Sequence, residues 1–124
     1  MARYEHLPIY KSALDLSIYF ENIVRNFSRY NKYTIGTELR NKSRQILCFI
    51  IKINSLEDKK SALKELILLI EELKIIIRLS KESKAFYNIN SYAYSSKLAL
   101  DISKQAQAWY NHESKQNNPI YTHQ

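Results

Sequence analysis

The sequence predicts an all-α protein, an antiparallel up-down-up-down four-helix bundle. Three observations lead there. Apolar residues recur at three-and-four spacing through four long segments, as on a helix with one buried face. The chain holds one glycine and two prolines, far too few for the turns an all-β fold needs. Hydrophobic residues make up 45% of 124 residues, enough for one domain with a real core and not for two. The expected organisation is an N-terminal arm over residues 1–7, the bundle over 8–112, and a polar, disordered tail over 113–124.

The first helix is expected from Pro8, whose missing N–H is no loss in a first turn, to about Ser28. Its core stripe is Ile9, Ala13, Leu16, Phe20, Ile23, Val24 and Phe27, with Leu7 packing from the arm. Asp15 and Glu21 stand one turn from Lys11 and Arg25, which predicts the pairs Lys11–Asp15 and Glu21–Arg25. Residues 28–33 (SRYNKY) read as a loop. The second helix follows to Asn54, with Thr34 as its N-cap acceptor and Glu38 in its first turn. Ile35, Leu39, Ile46, Phe49, Ile50 and Ile53 form its buried face. Gly36 lies inside this helix, where it costs roughly 1 kcal/mol relative to alanine. Either a close helix approach requires it or the first turn tolerates it.

Residues 55–58 (SLED) read as a capping box for a third helix over about 58–81. Leu63, Leu66, Ile67, Ile70, Leu73 and Ile77 make its core stripe. A second apolar set, Leu68, Leu69, Ile75, Ile76 and Leu79, lies on its other sides and predicts a contact with a second copy of the chain. After a loop at 81–90, the last helix spans about 91–112 and buries Tyr92, Ala99, Ile102, Ala106 and Trp109.

The net charge of +7 points to an anionic partner, nucleic acid being the commonest for a small basic helical protein. No segment approaches the apolar length of a membrane span, and MARYEHLPIYK lacks the apolar run of a signal peptide. Cys48 alone excludes an internal disulfide and every multi-cysteine metal site, and a reducing cytoplasm is the expected location. His6, His112 and His123 lie near the ends without a second ligand one turn away. No carboxylate pair faces a core and no glycine-rich phosphate loop occurs, so neither an enzyme nor a cofactor is expected.

The cations carry the functional signal. Residues 34–56 hold Arg40, Lys42, Arg44 and Lys52 against Glu38 alone, and Arg29 and Lys32 precede them without an acid nearby. Arginines one turn apart can engage successive phosphates. The alternative is solubility, or salt bridges to the acids of the third helix. Ten tyrosines cluster near helix ends. Most suit the amphipathic ends of a bundle or an interface. Tyr30 and Tyr33, which flank Lys32 and follow Arg29, also suit stacking on unpaired bases.

LPIYKSALDLSIYFENIVRNF, then KYTIGTELRNKSRQIL and IKINS, resemble the accessory variability proteins of diversity-generating retroelements. These belong to a wider group of small four-helix bundle proteins that includes the ribosomal-RNA intervening-sequence proteins. LKELILLIEELKIIIRLSKESKAF is similar to that family's third helix and ISKQAQAW to its last. The resemblance covers residues 7–110. Ser28 departs from the family, which often has proline there, and the tail from Glu113 is not matched. The resemblance implies a bundle that assembles into a pentameric ring, has no catalytic activity, and binds reverse transcriptase together with RNA or DNA during adenine-directed mutagenic copying. A ribosome-associated member of the wider group, or a purely structural oligomer, are the alternative readings.

Overall fold

A computed structural model of the chain describes residues 3–116. Four long helices account for most of them: α1 (Pro8–Val24), α3 (Ile35–Asn54), α4 (Lys60–Glu82) and α5 (Ile89–Gln116). A five-residue helix, α2 (Arg29–Tyr33), lies between α1 and α3, and a 3-10 turn over Tyr4–His6 precedes α1. The long helices pack in a closed cycle, α1 on α3, α3 on α4, α4 on α5 and α5 on α1. The contacts fix their directions. Ser12 meets Asp101 while Tyr19 meets Tyr94, so α1 and α5 run oppositely. Lys64 lies over Tyr110 and Lys81 over Tyr92, so α4 and α5 do as well. Arg40 meets Glu21 while Gly36 lies against Val24, which sets α3 against α1.

Each stripe read from the sequence faces the centre. Leu16, Phe20, Leu39, Ile46, Ile50, Ile53, Leu63, Leu66, Ile70, Leu73, Ile77 and Ile102 are all essentially inaccessible to solvent. Full burial of each such side chain is worth roughly 1.5–3 kcal/mol. Ile23, Ile35, Phe49, Ile67, Tyr92 and Trp109 pack at the margin of this core. The gap among Ala13, Leu16, Ser43, Ile46, Ile70, Leu73 and Ile102 is too small for a water molecule, so the interior offers no ligand cavity there. Four serines are also buried, one on each long helix: Ser17, Ser43, Ser80 and Ser95. Ser43, Ser80 and Ser95 donate their hydroxyls to carbonyls of their own helices, those of Arg40, Ile76 and Ser91.

The helix ends differ from the sequence expectation. The first helix stops at Val24 rather than Ser28, and the expected loop at 28–33 contains α2. Ser28 caps α2, its Oγ accepting the Asn31 N–H at 3.4 Å. Thr34 stands at the N-cap of α3 but does not accept there. Its hydroxyl donates to the Tyr30 carbonyl at 2.7 Å, closing α2 instead. The SLED capping box does not form. Ser55 ends α3 by donating to the Lys52 carbonyl, and Asp58 accepts from the Lys60 N–H just where α4 starts. The last helix continues to Gln116, so residues 113–116 are helical rather than a disordered tail; the rest of that expected tail, 117–124, lies outside the described residues. Leu7 packs on the core as expected, with Tyr4 edge-on to Tyr10.

Gly36 belongs to a close approach. A Cβ at this position would lie 2.6 Å from Val24 Cγ1, 2.9 Å from the Asn31 carbonyl oxygen and 3.3 Å from Phe27 Cδ2. One of these is backbone and cannot swing away. Gly36→Ala is therefore expected to destabilise the fold by about 1–3 kcal/mol through overpacking, despite the roughly 1 kcal/mol that alanine gains in a helix. Urea unfolding followed by circular dichroism measures it; a gain in stability would show that the approach is looser than described.

Candidate nucleic-acid interface

The six cations singled out in the sequence do not form one strip. Arg40 and Arg44 lean from α3 toward α1 and share one carboxylate, that of Glu21, at 3.5 and 3.2 Å. The sequence placed no acid beside them, and the structure corrects this. Arg44 donates a hydrogen bond from Nη2 to Glu21. Arg40 Nε is buried and without a hydrogen-bond partner, so its approach to Glu21 is an ion pair that lacks hydrogen-bond alignment. Lys42 leans the other way, toward α4, and donates to Glu72 at 2.7 Å. That contact matches the alternative of salt bridges to the third long helix. Lys52 lies near the far end of α3, its ammonium 5.6 Å from the Phe49 ring centroid.

Arg29 and Lys32 stand apart from these four. Both are on α2 and make no ion pair among the described residues. Arg25 joins them. The expected Glu21–Arg25 pair does not form, because Glu21 turns across to α3, and the expected Lys11–Asp15 pair is likewise not made. Arg25, exposed in the turn after α1, thus makes no ion pair among the described residues, although its spacing from Glu21 predicted one. Tyr30 and Tyr33 are both exposed on α2, interleaved with Arg29 and Lys32. The partly neutralised cations Arg40, Lys42 and Arg44 are on the flanks of α3, and Arg25, Arg29 and Lys32 are at the α2 end of the bundle. Lys52 lies at the other end of α3 without an ion pair among the described residues.

On α4 the second apolar set divides. Leu69 and Ile76 are half-buried and pack against the protein's own core. Leu68, Ile75 and Leu79 remain 64%, 61% and 54% exposed. Their spacing keeps them on one outward stripe, bordered by Glu72, which holds Lys42, and by Arg78, which donates to Glu82. Glu71 and Lys74 pair within the helix, as do Arg78 and Glu82, so this face is largely self-neutralised.

Among the described residues, no group of three or more His, Cys, Asp or Glu side chains converges as a metal site would require. No helix there is long and apolar enough to cross a membrane. Cys48 is exposed on α3. Comparison with protein-family models, with curated proteins and with solved structures gives no match.

The Glu21 pairs have half-open partners, Arg44 most of all. Exposed pairs contribute at most about 1 kcal/mol. Glu21→Gln is therefore expected to change the unfolding free energy by less than about 1 kcal/mol in urea titrations. A larger loss would make this contact a clamp between α1 and α3 rather than a neutralised part of the surface.

Proposed function

We propose that the chain is a non-catalytic cytoplasmic adaptor that assembles with copies of itself and binds nucleic acid, serving the reverse transcriptase of a diversity-generating retroelement. The resemblance over residues 7–110 supplies the polymerase, the mutagenic copying and a ring of five. The observation that carries nucleic-acid binding is the set of free cations on and beside α2, Arg25, Arg29 and Lys32, in a chain of net charge +7. Ion pairing, to Glu21 on one side of α3 and to Glu72 on the other, lowers the standing of Arg40, Lys42 and Arg44 as phosphate contacts. The observation that supports self-assembly is the exposed stripe Leu68, Ile75 and Leu79. Three exposed apolar side chains on one stripe, on a face that otherwise carries charged residues, are a surface that gains from being covered.

Three measurements test these parts. In sedimentation velocity, the chain is expected to run as an oligomer, and Leu68→Lys with Ile75→Lys to give a monomer of unchanged helicity. A monomeric parent protein would overturn the assembly. In salt-titrated binding to a labelled RNA strand, Arg29→Ala with Lys32→Ala is expected to reduce the log–log salt slope by about 1.4, near 0.7 per phosphate contact. Arg40→Ala with Arg44→Ala is expected to reduce it less, because Glu21 already offsets one of the two charges. Finally, tagged protein purified from cells at moderate salt is expected to bring a reverse transcriptase and its template RNA. Ribosomal RNA without a polymerase would favour the ribosome-associated reading, and neither would favour a purely structural oligomer.

A further inference from the structure

The turn between α4 and α5 lies at the same end of the bundle as α2. Phe27, in the segment leading into α2, meets Phe86 of that turn edge-to-face with ring centroids 5.9 Å apart. The two connections therefore form one end surface. Residues 25–34 contribute Arg25, Arg29 and Lys32 and no acid. Residues 81–92 contribute Lys81 and Lys84 with one acid, Glu82, which is held by Arg78 at 2.9 Å. Only Glu38, in the first turn of α3, adds a nearby unpaired carboxylate.

This end also carries a hollow of about 410 Å³, lined by Lys81, Lys84, Phe86, Tyr87, Ile89 and Tyr92 with Asn88. That is within the roughly 300–1,000 Å³ usual for ligand sites. Tyr87 is 76% exposed and Ile89 62%, so two apolar side chains line a depression that the chain's own core does not cover. Lys81 already holds its ammonium 4.8 Å from the Tyr92 ring centroid. Lys84 is held at φ 62°, the left-handed position of a Schellman turn. The Lys84 N–H bonds the Lys81 carbonyl and the Ala85 N–H the Ser80 carbonyl. Glycine is the usual residue there, and in this chain a lysine stands at a backbone position it does not favour. The N-terminal turn of α5, capped by Asn88 on the Ser91 N–H at 3.0 Å, adds the positive end of a helix dipole.

The opposite end differs in its charges and its aromatic side chains. Lys59 and Lys60 there follow Glu57 and Asp58, and Trp109 and Tyr110 are half-buried against the core.

We propose that the α2 and α4–α5 end of the bundle binds single-stranded nucleic acid. An unpaired base stacks on Tyr87 in the hollow, and the flanking phosphates lie on Lys84, Lys81, Arg29 and Lys32. This rests on the nucleic-acid reading above and places its contact. Stacking requires a base face that a duplex hides, and base–aromatic stacking tolerates any sequence because every base has such a face. Phosphate contacts alone would not distinguish strand from duplex.

Fluorescence anisotropy with labelled oligouridylate, oligodeoxythymidylate and a duplex of equal length tests the site in the full chain. Tyr87→Ala is expected to weaken both single strands about fivefold or more and leave the duplex unchanged. Lys84→Gly removes a cation while relieving the left-handed backbone. It is expected to melt at or above the parent temperature, yet to bind single strands more weakly and with a shallower salt slope. Unchanged single-strand affinity in both variants, with the parent protein binding in a salt-sensitive way, overturns this site and leaves the nucleic-acid reading standing. Equal loss on strand and duplex overturns the stacking. A parent protein that binds none of the three probes overturns the nucleic-acid reading and the site together.

Discussion

The approach of α3 to the end of α1 governs one whole end of the bundle. With no side chain at Gly36, Val24, Phe27 and the Asn31 carbonyl close onto the first turn of α3. Phe27 is thereby held inside the fold although it lies beyond the end of α1, and its ring reaches Phe86 in the α4–α5 turn. The chain segment that crosses from α1 to α3 must then fold tightly over this contact, and it does so as α2. The exposed tyrosines and cations of α2 are presented outward because the apolar members of the same connection point in.

The core was legible because it is a repeat of burial, and burial follows helical period. Most positions that alternate at three and four residues are the ones that lost solvent contact on α1, α3 and α4. Ile23, Ile35, Phe49 and Ile67 sit at the core margin, and on α4 Leu69 and Ile76 of the extra apolar set join them there. The helix ends were less legible. Ser and Thr hydroxyls both donate and accept, and each can serve the helix before it or the one after it. Thr34 and Ser55 were each assigned to the following helix. Both donate backward instead, to Tyr30 and Lys52. The SLED segment has the letters of a capping box without the register, since α4 starts two residues after Asp58.

The candidate site was half legible. Arg29, Lys32, Tyr30 and Tyr33 are neighbours in sequence, and their proximity needs no fold. The partners of Arg40, Lys42 and Arg44 lie on other helices, and local spacing favoured a pairing of Glu21 with Arg25 that the bundle does not make. Lys84 and Tyr87 were passed over as loop residues for the same reason. What joins them to α2 is one ring contact between segments far apart in the chain.

The buried serines have a consequence for how this bundle keeps its own alignment. Ser43, Ser80 and Ser95 each spend their hydroxyl on the helix that carries them. None of these three bonds marks the depth of one helix against another. Sliding one helix along its neighbour would therefore strand no buried hydroxyl at these three positions, and they set no polar checkpoint against a slipped register. The correct alignment is then read at the rim, where a missing side chain and a pair of phenylalanine rings admit one axial position.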